Sequence, residues 1–106
     1  MNIVQIDMQS QFGAFCARGD AAVRLLKSSV YPNVGSDTMI VFDFVGVRNI
    51  NSSFSNALFA NLVRKYGEGV LDQVEVVNAR PSIKQEIISS FVLAKTDHQI
   101  VQNYAI

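Results

Sequence analysis

Apolar and polar residues alternate over residues 1–7, and this period of two predicts a first β-strand. Residues 8–18 have no comparable period. Their apolar side chains Phe12, Phe15 and Cys16 fit either a second strand or the lead-in to a helix. Both interpretations stay open for this segment.

The apolar spacing becomes helical from about Asp20 onward. Asp20 follows Gly19 and is of a residue type that often caps the start of a helix, so we expect it to be the N-cap. The helix should end near Tyr31, because Pro32 restricts the residue before it and cannot donate a backbone hydrogen bond. Residues 33–37 then predict a turn.

Residues 38–45 form the clearest strand pattern, because they are rich in β-branched and aromatic side chains and Asp43 is their only charge. An almost continuous apolar run is typical of a strand that is covered on both faces, as in a sheet flanked by helices. Gly46 ends this pattern, and residues 47–51 predict a short loop.

A second helix is predicted over residues 52–66, and Gly67 suits its C-terminal end. Residues 74–77 predict another strand. Pro81 suits the first turn of a third helix. The core-facing stripe of that helix is predicted to contain Ile83, Ile87, Ile88 and Phe91. Residues 93–106 fit a final strand, a short helix or a tail.

The predicted strands and helices alternate, and helical connections between strands imply parallel pairing with right-handed crossovers. The fold class is therefore predicted to be α/β, a single compact domain with a mostly parallel (mixed) sheet flanked by helices. The domain is expected to take in residues 1–106, with its core over about residues 3–92 and a tail over residues 93–106.

The loops after Val45 and Val77 both leave the carboxyl ends of parallel strands, so we expect them at one rim of the sheet. Open α/β sheets bind their ligands at this rim. The candidate residues there are Asp43, Arg48, Asn49, Asn51, Ser52, Ser53, Asn78 and Arg80.

Composition narrows the classes of function. Of the 106 residues, 49% are hydrophobic, which supplies one core and excludes a disordered chain. Nine basic and nine acidic residues balance, and this argues against a nucleic-acid binder or a polybasic membrane-surface module. A single cysteine (Cys16) and a single histidine (His98) predict neither an internal disulfide nor a metal site. Without a signal-peptide pattern, a cytoplasmic setting is expected.

One segment has the character of a family signature. The strand VFDFVGV at residues 41–47 is followed by NSSF at residues 51–54. This arrangement resembles the STAS-like domain family of unknown function, which is itself similar to STAS domains such as the anti-sigma-factor antagonists. In the STAS pattern, an apolar strand ends in Asp-hydrophobic-x-Gly-Val and a short loop delivers Asp-Ser-Ser-Gly to the start of a helix. Here Asn51 replaces the acidic residue and Phe54 the glycine, the latter as is typical of the STAS-like branch.

The resemblance implies a regulatory protein that binds a protein partner. In the classical antagonists, the second serine of the pair is phosphorylated by a kinase that is also the anti-sigma factor, a histidine-kinase-like ATPase. By position the phosphoacceptor would be Ser53, with Ser52 as the alternative. The residues expected to contact a partner or an anion are Asp43, Arg48, Asn51, Asn78 and Arg80.

The residues themselves allow a simpler interpretation of the serines. A serine at a helix start commonly acts as an N-cap worth about 1 kcal/mol, and sequence chemistry alone favours that role. A phosphate on Ser53 would nevertheless be favoured by the helix dipole and would be within reach of Arg48 or Arg80. For Asp43, the favoured interpretation is a carboxylate that ties down the loop after its strand, the alternative being a group beside the serine that modulates phosphate transfer.

Two classes of function follow, and neither is enzymatic. Ser53, His98 and Asp43 lack the sequence context of a catalytic triad, and no cofactor-binding motif is present. The first hypothesis is a regulatory protein-interaction module. The alternative is a domain that senses a nucleotide or another anion through Arg48, Arg80 and the loop amides. The apolar third helix would also permit a homodimer.

Overall fold

Parallel strands make up both sheets of this protein. The computed structural model describes the backbone of residues 1–104 and the side chains of residues 1–97. Its strands are β1 (Asn2–Asp7), β2 (Phe15–Cys16), β3 (Thr38–Asp43), β4 (Asn49–Ile50) and β5 (Val74–Val77). The main sheet has the order β1-β3-β5, and β2 pairs with β4 in a second sheet. The predicted α/β class with parallel pairing is confirmed.

Helices lie between these strands, and one follows the last strand. They are α1 (Met8–Phe12), α2 (Gly19–Leu25), α3 (Ser52–Ser55), α4 (Asn61–Tyr66) and α5 (Pro81–Tyr104). The winding of α2 continues as a π-helical turn (Leu26–Val30) and a 3-10 turn (Tyr31–Asn33), and α3 and α4 are joined by a π-helical turn (Asn56–Ala60). A 3-10 helix (Glu68–Gln73) precedes β5. The joined run from α3 through α4 is called helix 52–66 below.

The ambiguous residues 8–18 contain both a helix and a strand, α1 and β2. The expectation that Asp20 caps α2 is wrong. The cap position is Arg18, whose side chain makes no capping bond, and Asp20 lies in the first turn. The Asp20 carboxylate instead accepts hydrogen bonds from the guanidinium groups of Arg18 (2.8 Å) and Arg24 (3.2 Å).

The helices cover one face of the main sheet. In the parallel register, Ile6 of β1 lies beside Phe42 of β3, and both side chains are buried. Phe59 of helix 52–66 packs edge-on against Phe42, with ring centroids 5.1 Å apart, and also lies near Phe44. The core is therefore the layer between this sheet face and the helices.

The opposite face of the sheet is not covered as the apolar run predicted. Ile3 of β1 is 66% exposed, and its neighbours on that face, Gln5 and Glu75, are exposed as well. Val41 is the buried residue on this face, but it does not belong to the core cluster. Among the described residues the domain thus has two layers, with helices on one side only.

The last helix is longer than the sequence suggested, since α5 runs through residues 93–104. Ile83 and Ile87 are buried as expected and Phe91 packs against the core. The placement of Ile88 in the core stripe is wrong, because its side chain is 53% exposed. The side chain of His98 lies outside the described residues.

A buried hydrogen-bond network fixes α5 to helix 52–66. The hydroxyl groups of Ser55 and Ser90 lie 2.6 Å apart, and Ser90 also donates to Oδ1 of Asn56 at 2.7 Å. Because buried polar groups are costly unless they are paired, this network sets the relative register of the two helices. It holds the start of helix 52–66 in place from the core side.

Candidate functional site

The ends of the three main-sheet strands carry a cluster of Gln5, Asp43 and Asn78, called the strand-end cluster below. Nε2 of Gln5 donates to Oδ2 of Asp43 at 3.0 Å, and Nδ2 of Asn78 donates to Oδ1 at 2.9 Å. The backbone N–H of Val45 also donates to Oδ1, at 3.0 Å. One carboxylate thus joins both neighbouring strands to the loop that follows β3.

These bonds determine the chemistry of Asp43. Its pKa is lowered, above all by the hydrogen bond from Asn78 and then by the backbone N–H of Val45, because such donors stabilise the charged form. The backbone of Asn78 has a φ of 58°, in the left-handed region that Asn tolerates better than most residues. Asp43 therefore ties down the following loop, and among the described residues its hydrogen-bond partners include neither Ser52 nor Ser53.

A second cluster lies where helix 52–66 begins, and it consists of Gly19, Asn51, Ser52 and Ser53, called the helix-start cluster below. Oδ1 of Asn51 accepts a hydrogen bond from the backbone N–H of Phe54 at 2.8 Å, which is the bond of an N-cap. Asn51 also donates through Nδ2 to the carbonyl of Ala17 at 3.1 Å. The expectation that a serine caps this helix is wrong, since Asn51 has that role.

Both serines are left without a capping function. Ser52 and Ser53 are exposed, and among the described residues their hydroxyl groups form no hydrogen bond. Ser53 lies against the first residue of α2, because a β-carbon added to Gly19 would be 3.2 Å from Oγ of Ser53. The starts of α2 and helix 52–66 therefore meet at this serine.

Phe54 holds the helix-start cluster to the core. Its side chain is fully buried and packs edge-on against Phe12, with centroids 4.9 Å apart. The residue that stands in place of the glycine of the STAS pattern is thus a core anchor, and it leaves the two serines before it on the surface.

The structure separates the remaining rim residues. Asp43 and Asn78 are brought together, and so are Asn51 and the serines. Arg48 and Arg80 are exposed, and in the described part of the chain their side chains form neither a hydrogen bond nor an ion pair. Both residues form backbone hydrogen bonds: the N–H of Arg48 donates to the carbonyl of Ala14 at 2.8 Å, and the carbonyl of Arg80 accepts from the N–H of Lys84 at 3.0 Å. Asn49 is exposed within β4.

Other chemically capable groups are few. Cys16 is 1% exposed, and burial raises the pKa of its thiol to about 11, so the thiol stays protonated at neutral pH. Within residues 1–97, no three His, Cys, Asp or Glu side chains are grouped as a metal site would require. No helix in the described residues is both long and apolar enough to cross a membrane.

Sequence reasoning missed two members of these clusters. Gln5 was assigned only to the first strand, although the parallel register places its side chain on the same sheet face as that of Asp43. Gly19 was considered only as the residue before a helix. Its contact with Ser53 joins segments that are far apart in the sequence, and no local pattern marks such a contact.

Comparison with known protein families gives a match that covers the serine-containing motif at residues 51–54. The sequence profile of the STAS-like domain of unknown function (DUF4325) matches residues 21–84, more than half of the chain. The matched region contains β3, helix 52–66 and β5 and thus includes both serines. No curated protein and no solved structure matches the chain.

Proposed function

Because this chain belongs to the family of STAS-like domains of unknown function, we propose that it is a non-catalytic regulatory module that binds a protein partner through the start of helix 52–66. Phosphorylation of Ser53 is proposed to control this binding. The observation that carries the proposal is the capping of the helix by Asn51, which leaves the exposed hydroxyl of Ser53 free to react.

The surroundings of Ser53 would suit a phosphate. The first N–H groups of a helix lack intrahelical partners, and the helix dipole favours negative charge there. Ser53 lies in the first turn of its own helix and contacts Gly19 at the start of α2, so a phosphate would lie near two helix starts.

The proposed partner is a histidine-kinase-like ATPase that both phosphorylates and binds the chain. Such an ATPase is the partner of the anti-sigma-factor antagonists, whose sequence motif the motif of this chain resembles. Asn51 supports this interpretation despite replacing an acidic residue, because Asn and Asp are about equally good N-caps. Asp43 and Asn78 satisfy each other, so we expect them to shape the adjoining loops and contribute less to partner contact.

The test is peptide mapping by mass spectrometry on the full chain purified from its own cells. We expect a fraction of the peptide that contains residues 51–54 to carry one phosphate on Ser53. Ser53→Ala should abolish this modification, while the matched control Ser52→Ala should keep it. Unmodified protein across growth conditions, or phosphate retained in Ser53→Ala, would contradict the proposal.

Partner binding is tested separately with the pair Ser53→Asp and Ser53→Asn, which have similar size and differ in charge. Co-purification after cross-linking in the same cells should recover the ATPase with one variant more than with the other. Equal recovery with both variants would argue against a switch at Ser53, even if the residue is modified.

A second candidate function is the sensing of a small anion at the rim by Arg48 and Arg80. It is supported by the exposure of both arginines and by their lack of ion pairs among the described residues. A ligand at 100 times its dissociation constant stabilises the folded state by about 2.7 kcal/mol. Millimolar phosphate or nucleotide should therefore raise the melting temperature of the wild type but not that of Arg48→Gln/Arg80→Gln, and the absence of any shift would remove this candidate.

A further inference from the structure

A groove outside both clusters lies between α2 and the segment from α1 to β2. Its volume is about 460 Å³, within the range of roughly 300–1,000 Å³ that is usual for small-molecule sites. The residues that give the groove its chemistry are Phe12, Phe15, Arg18, Arg24, Leu25 and Ser28. None of them belongs to the strand-end or helix-start cluster.

The groove has a positively charged side. Arg18 and Arg24 are among its lining residues, whereas Asp20, which binds both guanidinium groups, is not. One carboxylate therefore orients two cations and leaves one positive charge uncompensated. Arg18 uses Nε and Nη2 on Asp20 and Arg24 uses Nη1, so each guanidinium keeps further N–H groups for an anion.

The other side of the groove is apolar and aromatic. Phe15 is 63% exposed, which is unusual for a large aromatic side chain, and it is held in β2 by pairing with Asn49. The ring of Phe12 is fixed by its edge-on contact with Phe54, and Leu25 is buried. These side chains offer a preformed surface on which a flat ring would remove apolar area from water.

We propose that this groove binds a small organic anion in which an aromatic ring is joined to a phosphate or carboxylate group. The ring packs between Phe12 and Phe15, and the anionic group accepts hydrogen bonds from Arg18 and Arg24. Ser28 also lines the groove, and its hydroxyl group lies within hydrogen-bond distance of the carbonyl of Leu25 and the hydroxyl of Ser29. A bare anion would lack the apolar contact and an uncharged ring would lack the charge-assisted bonds, so both should bind more weakly.

The test uses the isotope-labelled full chain, with backbone amide shifts followed by NMR during titration with four probes. They are naphthyl phosphate, naphthoate, naphthol and inorganic phosphate. We expect at least one of the two aryl anions to saturate and to shift amides within residues 11–28, with naphthol and inorganic phosphate about tenfold weaker or worse. Saturation by only one aryl anion identifies which acidic group the groove takes.

An affinity for naphthol or for inorganic phosphate equal to that for the aryl anions would overturn the proposal. Shifts confined to the separate apolar surface lined by Val76, Ile87 and Phe91 would overturn it as well. Failure of Ser53 phosphorylation would leave this result unaffected, because the two sites share no residue.

A substitution of Arg24 tests whether this residue contacts the anionic group of the ligand. Arg24→Gln should weaken binding of the better aryl anion about tenfold, because a hydrogen bond to a charged group is lost. The matched control is Arg64→Gln, which removes an arginine that is paired with Asp97 at 2.7 Å and does not line the groove. Both positions are exposed, so both variants should fold. Equal affinities of the two variants would contradict the assignment.

Discussion

The strand-end and helix-start clusters differ in how their polar atoms are used. In the strand-end cluster, both carboxylate oxygens of Asp43 accept hydrogen bonds, from Gln5, Asn78 and the backbone of Val45. In the helix-start cluster, both the oxygen and the nitrogen of the Asn51 amide form a hydrogen bond, but the hydroxyl groups of Ser52 and Ser53 have no partner among the described residues. Residue type alone does not separate the two clusters, because both contain polar side chains of the kind found in binding or reactive sites.

This difference separates structural roles from a candidate reactive group. Polar atoms that satisfy one another stabilise the connections between strands and loops, and their removal should affect folding. An exposed hydroxyl without partners contributes little to stability, so its removal should affect only what binds or modifies it. Substitutions in the two clusters should therefore show opposite patterns in stability and in function.

The largest expected effect is that of Phe54→Ala, which removes the core anchor of the helix-start cluster. Loss of a fully buried phenylalanine should lower the free energy of unfolding by about 3–5 kcal/mol. Urea denaturation measures this change. Phe15→Ala, at an exposed phenylalanine, is the control and should cost much less; similar losses in both variants would show that Phe54 does not anchor the helix start.

A smaller loss is expected for Asn51→Ala, which removes the cap of helix 52–66 and the bond to Ala17. Loss of an N-cap typically costs about 0.5–2 kcal/mol, and Asn51→Asp should recover the capping part of the loss because Asp caps as well, but not the bond to Ala17, which needs an N–H donor. Thermal and urea unfolding of the two variants provide the measurement. If Ser52→Ala were as destabilising as Asn51→Ala, the assignment of the cap to Asn51 would be incorrect.

The effect of Asp43→Asn should depend on pH. The pKa of Asp43 in the folded state lies below its usual value of about 3.9, so its charged form stabilises the fold above about pH 4. This stabilisation is lost as the pH falls through the lowered pKa. The stability difference between wild type and Asp43→Asn should therefore shrink as the pH falls below about 4.

Asp72→Asn is the control for that experiment, since it removes one carboxylate at an exposed position outside both clusters. Chemical denaturation at a series of pH values measures both variants. The same pH dependence in both would mean that net charge, and not the hydrogen bonds of Asp43, is responsible.

The smallest effect on stability is expected for Ser53→Ala, because its hydroxyl group has no hydrogen-bond partner to lose in the described part of the chain. Its free energy of unfolding should stay within about 0.5 kcal/mol of the wild type, as for most surface substitutions. Circular dichroism during thermal unfolding is sufficient to test this. A loss comparable to that of Asn51→Ala would place Ser53 among the structural residues and remove the contrast between the clusters.

Several elements could be predicted from the sequence because their patterns are local. The bounds of β5 and of helix 52–66 agree with the predicted ranges, and Gly67 ends the helix with a φ of 83°, which favours glycine. The sequence left β2 as one of two alternatives for its segment and placed β4 in a loop, because a strand of two residues has no recognisable period. They exist because Phe15 and Asn49 are brought side by side by the rest of the fold.

The candidate site was predicted in part. The motif around residues 41–54 led to the family and to the serines. The cap was assigned to the wrong residue, since Asn and Ser are about equally good N-caps and the helix starts only one residue from where a serine would cap it. A shift of one residue at a helix start changes which side chain is engaged and which is free.

The sequence by itself determined the α/β class, the order of its main elements and the segment that carries the family signature, because periodicity and motif spacing are properties of neighbouring residues. Only the tertiary structure decided which polar residues are engaged. Asp43 is bound by residues 38 and 35 positions away, and Ser53 meets Gly19 across two helix starts. These contacts are determined by sheet register and helix packing, which bring together segments that are distant in the chain.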